Sequence, residues 1–521
     1  MLAIAVLACG SAAVEAKDHV PAIARTLYID CERGEGGDGS LARPLTTLAA
    51  ANERTLGAGD RLLLRRGTRC TGTLAPHGNG APGKPILIGA YGDAHAPLPR
   101  IDAGGANAAV ALADQSHVIV EDLELTNAGN PQGLHRGVHL ASVAGIAADI
   151  TLRRLNIHDV EGDNSFAKGK PGGGIIGDAT NGGRFADVLI EGNTIRDVSR
   201  SGIFFTGTTS RDRPAAGQPW PAASTGVVIR GNSAERIQGD GIVALGTIGA
   251  LLERNVVRHA NLGGFDFHSP KRNCAAGIWA WNANRTVIQY NEVSDTHFGP
   301  GGKGCDGTGF DIDFNQDETI VQYNTSFHNE GGFVLLCAAD APRRAVVRYN
   351  LSIEDGSAFS GVPCSFSGSM NPATMNLNGV LLYNNTFVGS APRIVPEGDP
   401  AFAERVRPFL GTLEFRNNIV FATSPAGPPQ PFDCGDRCRN NLFFNMAPHG
   451  TAAMVGDPRF LDPTRRGTGL RVAEGYRVQA SSPVARAGVP VAAGAFAVVT
   501  TDFFGKRIST PPSLGFAEPG R

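Results

Sequence analysis

The feature that most limits what this chain can become is a recurring unit made of a short alternating strand, an asparagine and a second short strand. It appears as HVIVEDLELTN, DITLRRLNIHDV, DVLIEGNTIRDV, GVVIRGNSAERI, ALLERNVVRHA, TVIQYNEVSDT, TIVQYNTSFHN, AVVRYNLSIED, GVLLYNNTFVG and LEFRNNIVFA. The turn asparagines are Asn193, Asn232, Asn255, Asn291, Asn324, Asn350, Asn385 and Asn418, and the closest two, Asn232 and Asn255, stand 23 residues apart. Strands this short, returning at such a period, point to a parallel β-solenoid in which each coil packs only on its neighbours. An amide at the same corner of each coil can bond to the amides above and below, and asparagine tolerates a left-handed turn. These asparagines are therefore structural.

A third strand follows many units and opens on glycine and a bulky apolar residue: GIFFTG from Gly202, GIVALG from Gly241, GIWAWN from Gly277, GFDIDF from Gly309 and GFVLLC from Gly332. Stacked on their glycines, the second and fourth positions face the core and the third and fifth face out. The outward residues are then Phe204 with Thr206, Val243 with Leu245, Trp279 with Trp281, Asp311 with Asp313, and Val334 with Leu336. Two tryptophans lie one coil, about 4.8 Å, from two aspartates, and Asp240 lies about 10 Å along the same face. Exposed indoles beside exposed carboxylates are what a sugar-binding cleft requires, since apolar sugar faces stack on rings and polar edges need acceptors. Asp311 and Asp313 are the candidate catalytic pair, Asp240 a third carboxylate, and Glu330 an alternative acid if it turns into the cleft. Trp279 and Trp281 are candidate substrate platforms. The bland alternative is a solvated strand, or a calcium site in which Asp306 joins Asp311 and Asp313. Long insertions around this face carry Asp266, His268, Lys271, Arg272 and Lys303, candidate contacts to substrate.

With 47 basic and 49 acidic residues the chain has no field that would recruit nucleic acid or an anionic membrane. The opening MLAIAVLACGSAAVEA reads as a signal peptide cleaved after Ala16, or as a lipoprotein signal with Cys9 as the anchor, so a secreted, periplasmic or outer-surface protein is expected. No later run reaches the ~20 apolar residues that span a bilayer. The other eight cysteines pair by proximity as Cys31 with Cys70, Cys274 with Cys305, Cys337 with Cys364 and Cys434 with Cys438. A short helix from about Pro44 to Gly57 and a strand at Arg61 to Leu64 suit an N-terminal cap over the first edge. The expected divisions are 1–16 (signal), 17–110 (cap and first coils), 111–450 (β-helix with cleft-forming insertions) and 451–521 (closing cap), in a monomer.

The stretches YID, PLTTLAAA, GAGDRLLLRRGT and PILIGAYG, the asparagine-turn coils, and the terminal SSPVARAG, DFFGK and LGFAE together resemble secreted right-handed parallel β-helix proteins of the pectin-lyase-like superfamily. The resemblance covers nearly all of the mature chain. It implies an all-β, right-handed parallel β-helix with an N-terminal helical cap and a C-terminal cap, a scaffold that hosts both lyases and hydrolases. Its lyases use two acidic residues two apart to bind calcium, with a downstream lysine and an arginine on a following coil for proton transfer. Asp311 and Asp313 imitate the acidic pair, but Asn315 to Thr319 holds no lysine and GFVLLC no arginine. Its hydrolases need clustered outward carboxylates and no metal, one as general acid and one as base or nucleophile. Same-face strand neighbours stand about 6.5–7 Å apart at the backbone, at the lower edge of the ~6.5–9.5 Å of inverting enzymes, and side-chain rotamers can close the gap toward the ~5–5.5 Å of retaining ones, so the stereochemistry stays open. The expectation is an exported enzyme that hydrolyses glycosidic bonds of a polysaccharide or oligosaccharide without a required cofactor. The alternatives are a calcium-assisted polysaccharide lyase and a non-catalytic carbohydrate-binding surface protein.

Overall fold

The computed structural model describes residues 24–164, 172–206, 223–263, 274–298, 305–313, 315–336, 344–356, 379–390, 392, 413–424, 437–492, 494 and 496–520. The chain winds as a right-handed parallel β-helix with three sheets, of 15, 14 and 8 strands among the described residues. One coil shows the logic: Ile146–Arg153 lies on the first sheet, Asn156–Val160 on the second and Gly173–Ala179 on the third, and Arg184–Glu191 then returns to the first sheet beside Ile146–Arg153. Alternation puts one residue in two inside, so like side chains stack from coil to coil. Leu152 pairs with Ile190, Ile190 with Ile229, Ile229 with Leu252 and Leu252 with Ile288, all fully buried in the central core. That aliphatic column supplies the apolar burial that such short strands lack singly.

The asparagines form a buried ladder at the corner between the first and second sheets. Asn232 Oδ1 accepts from the main-chain N–H of Asn193 at 3.0 Å and from its Nδ2–H at 2.9 Å, and the pattern repeats to Asn255, Asn291, Asn324, Asn350, Asn385 and Asn418. The ladder runs one rung beyond the predicted set, to Asn441. Each Nδ2 also donates inward to a main-chain carbonyl, as Asn291 does to Leu252 at 2.9 Å. The left-handed residue is not the asparagine, as expected from sequence, but the one before it: Gly192, Gly231, Arg254, Tyr290, Tyr323 and Tyr349 have φ of 62°, 62°, 55°, 55°, 55° and 53°. Turning the chain one residue early frees the amide to point into the stack.

At the N-terminus the helix is Leu48–Asn52, shorter than predicted because Thr55–Leu56 already pairs as a strand with His77–Gly78. The Thr47 hydroxyl caps it by accepting from the Ala50 N–H at 3.1 Å, and Leu48 and Ala51 turn into the same core as Ile29 and Leu62. The segment after Val455 packs alongside the last coils: Tyr323 Oη donates to the Thr501 carbonyl at 2.8 Å, Arg348 to that of Ala497 at 2.9 Å and Asn384 to that of Ser513 at 2.7 Å. Cys31 and Cys70 are disulfide-bonded with Cα atoms 5.2 Å apart, as suits a non-cytosolic compartment. Cys274 and Cys305 face one another as β-partners. Their side chains, with Cys9, Cys337, Cys364 and Cys434, lie outside the described residues. Among the described residues no helix is long and apolar enough to cross a membrane.

At the corner between the second and third sheets, Thr296 N–H donates to Asn329 Oδ1 at 2.9 Å, Asn329 N–H to Asp355 Oδ1 at 2.8 Å and Ser352 Oγ to Asp355 Oδ2 at 2.7 Å. Desolvation pushes the Asp355 carboxyl up to about 6, against the pull of these hydrogen bonds. A carboxyl raised above its unfolded value stabilises the fold fully below about pH 4 and loses that contribution as pH rises through about 6. Asp355→Asn is expected to flatten the dependence of melting temperature on pH between 4 and 7, and curves that stay parallel would show that Asp355 does not titrate there. Asn291→Ala breaks two rungs and strands buried donors and acceptors, so denaturant unfolding should show a loss of about 2–4 kcal/mol. A loss within 0.5 kcal/mol, typical of a surface change, would mean the ladder is dispensable.

Candidate active site

The third sheet presents two outward columns set by strand register. Ile176 pairs with Phe204, Phe204 with Val243, Val243 with Trp279, Trp279 with Asp311 and Asp311 with Leu335. In the other column Asp178 pairs with Thr206 and Leu245 with Trp281. Continuing the Trp279 to Asp311 register by two residues sets Asp313 beside Trp281. Both indole–carboxylate neighbours expected from the sequence are thus β-partners or lie in line with them.

The last rung departs from the expectation. Phe310 pairs with Val334 and Ile312 with Leu336, so Val334 and Leu336 face the core and Leu335 faces out. The expected alignment set Gly332 beside Gly309, whereas Gly332 pairs with Thr308, and a shift of one residue exchanges the faces of a strand. The glycine column exists because a Cβ at Gly241 would stand 2.4 Å from the Gly277 carbonyl, and one at Gly277 2.3 Å from Val293. Phe333 occupies that place in the last rung, packing edge-on to Phe310 at 5.7 Å.

Outward is not the same as exposed. Ile176, Phe204, Val243, Leu245, Ala276 and Trp279 form a second apolar cluster outside the helix, with Trp281 packed against it. Trp279 retains 8% of its surface, Asp311 4% and Asp313 6%, so the expected exposed cleft is a largely desolvated one. Charges there interact more strongly than in water.

Asp240 lies at the strand's entry, fully buried, paired with the equally buried Arg200 at 2.5 Å. Its Oδ1 accepts the indole N–H of Trp279 at 2.9 Å and the N–H of Ala276 at 3.2 Å. It therefore holds the tryptophan from below and does not stand on the outer face. Glu330 sits at the preceding corner, 3.2 Å from His297 and accepting the Phe298 N–H at 2.6 Å. Asp306 has a left-handed φ of 59° at the edge of a two-residue strand beside Ala275. Asp266, His268, Lys271, Arg272 and Lys303 lie outside the described residues. Among the described residues no three His, Cys, Asp or Glu side chains converge in a metal-binding set.

Sequence reasoning missed a polar cluster further along the same face. His139 Nε2 stands 3.8 Å from Asp178 Oδ2, and Arg136 donates to Asn107 Oδ1 at 2.5 Å. Burial pushes the Arg136 guanidinium down to about 10, opposed by the charge of Asp178. The runs GVHLA from Gly137 and GIIGD from Gly174 carry the same opening and would have extended the stacked columns to it.

The sequence profile described as right handed beta helix region matches residues 173–389. A lacto-N-biosidase of Bifidobacterium longum subsp. longum is 25% identical over an alignment that takes in 95% of this chain and 36% of its own. The GH136 lacto-N-biosidase of Eubacterium ramulus superposes with a TM-score of 0.58 at 26% identity, over 70% of this chain and 64% of that one. The chain thus spans about a third of the curated relative and less than two thirds of the solved one. XylC in complex with xylose, 12% identical, matches over 95% of this chain and 99% of its own with a TM-score of 0.52 and shares the fold.

Removing one partner of a buried ion pair costs about 3–5 kcal/mol because the other charge is stranded. Asp240→Ala should lower thermal stability by that order, and a variant melting with the parent would show the pair to be dispensable.

Proposed function

We propose that this chain is a glycoside hydrolase that acts on an oligosaccharide at the outer face of the third sheet, with Asp311 and Asp313 as its carboxylate pair. The observation that carries the reading is the register of Trp279 with Asp311, which sets two indoles beside two aspartates on rigid strands. The kinship to lacto-N-biosidases over most of the chain supports glycosidase chemistry and makes a lacto-N-biose glycoside the substrate to try first. One carboxyl protonates the leaving oxygen while the other activates water or attacks the anomeric carbon. Low exposure strengthens both the developing charge interactions and the hydrogen bonds that orient the sugar. Trp281 supplies a ring for an apolar sugar face, and Asp240 fixes the plane of Trp279 through its indole N–H.

Glu330, braced by His297 and the Phe298 N–H, is the second candidate acid. Asp266, His268, Lys271, Arg272 and Lys303 remain proposed contacts to the sugar's polar edges, and Asp306 a proposed calcium ligand should the reaction be an elimination. Export from the cytosol is supported by the disulfide.

Product analysis decides between these chemistries. An aryl lacto-N-bioside and a panel of neutral and uronic glycans are incubated with the protein, with and without chelator, while reducing ends and unsaturated-uronate absorbance are recorded. Reducing ends without absorbance are expected, with Asp311→Asn and Asp313→Asn each lowering kcat about 10²–10⁴-fold and Trp281→Ala acting mainly on KM. Chelator-sensitive absorbance, or wild-type rates from both aspartate variants, would overturn the proposal.

A further inference from the structure

The second sheet carries an outward apolar column of its own. Phe327 pairs with Ile353, Ile353 with Val388, Val388 with Phe421 and Phe421 with Phe444. The C-terminal segment packs against the same cluster, which buries the first three to 0%, 5% and 3% exposure. Phe421 and Phe444 are only half-buried. Their rings stack at 4.7 Å and 17°, and Phe421 also leans on the buried Phe460 at 5.3 Å. Phe443 pairs with Val455, so Gly456 comes next along the column, where an added Cβ would meet open space.

A cavity of about 180 Å³ opens here, lined by Phe421, Phe444, Phe460, Asp457, Arg459 and Gln479. Its polar rim is held in place. The Arg459 N–H donates to Asp457 Oδ1 at 2.7 Å, the Arg459 guanidinium to the Ser481 carbonyl at 2.8 Å and Gln479 Nε2 to the Phe460 carbonyl at 3.2 Å. We infer that this pocket binds a single neutral hexopyranose ring, as a second carbohydrate site distinct from the carboxylate face. The volume lies below the ~300–1,000 Å³ of pockets for drug-sized ligands and suits one ring. The rim holds one anion and one cation, so its net charge is zero and favours a neutral ligand. Aromatic rings meet the apolar sugar face, while a carboxylate, a guanidinium and an amide meet the hydroxyls. The site lies four to five coils, about 19–24 Å along the axis, from the coil of Asp311, and on a different sheet. A sugar held here would keep a glycan carrying it close to the protein, whatever the other face does. The inference goes beyond the proposed hydrolysis and is read without it, because binding is measured on sugars one ring long.

The test is ligand-observed NMR on the full chain with the methyl glycosides of galactose, glucose and N-acetylglucosamine. At least one is expected to bind with a Kd of about 1–10 mM. Phe444→Ala and the double variant Asp457→Asn with Gln479→Ala should each weaken that binding at least about fivefold, roughly 1 kcal/mol, while Trp281→Ala leaves it in place. The double variant keeps every ring and guards against a folding defect in Phe444→Ala. Absence of binding for all three sugars, undiminished binding in the double variant, or loss in Trp281→Ala alone would overturn the inference.

Discussion

The structure depends on a line of buried amides. From Asn232 to Asn441 each asparagine oxygen takes two hydrogens from the rung before it, and the nitrogens close onto main-chain carbonyls inside the coil. A buried amide without partners would cost more than most side-chain contacts return. The ladder is therefore stable only when every coil arrives in register. That demand ties the corner of each coil to the next, and the aliphatic column then fills the space that the corner has fixed.

Register is what brings the tryptophans and the aspartates together. Trp279 and Asp311 come from coils separated by an insertion, yet they meet as β-partners because Ile278 stacks on Phe310 and Ala280 on Ile312 beneath them. A pair positioned by a sheet is more rigid than one carried on loops. The buried Arg200 and Asp240 add a second constraint by holding the indole from below. The tryptophan is thereby fixed both by the strand that bears it and by the corner beneath it.

Much of this was legible because period-two alternation and a repeated corner residue are local signals. Asn232 and Asn255 announced the coil, and Asp311 and Asp313 announced an outward pair. The failures have physical reasons as well. Gly332 looked like another opening glycine, but Phe333 fills the glycine's place and moves Val334 and Leu336 into the core. Asp240 read as an outer carboxylate because nothing in its own stretch reveals Arg200, 40 residues earlier, as its buried partner. The half-covered Phe421 and Phe444 carry no sign in their own strands of where the C-terminal segment stops.

The sequence by itself determined the coil, the corner that repeats and the side of each strand on which a residue falls, because these follow from backbone periodicity and from residues near in the chain. Only the tertiary structure decided how deep each outward residue lies. Burial is set by what packs over a face, as the apolar cluster around Trp279 and the C-terminal segment beside Tyr323 show. Depth is a property of distant segments meeting, and it is depth that separates a solvated aspartate from a desolvated one.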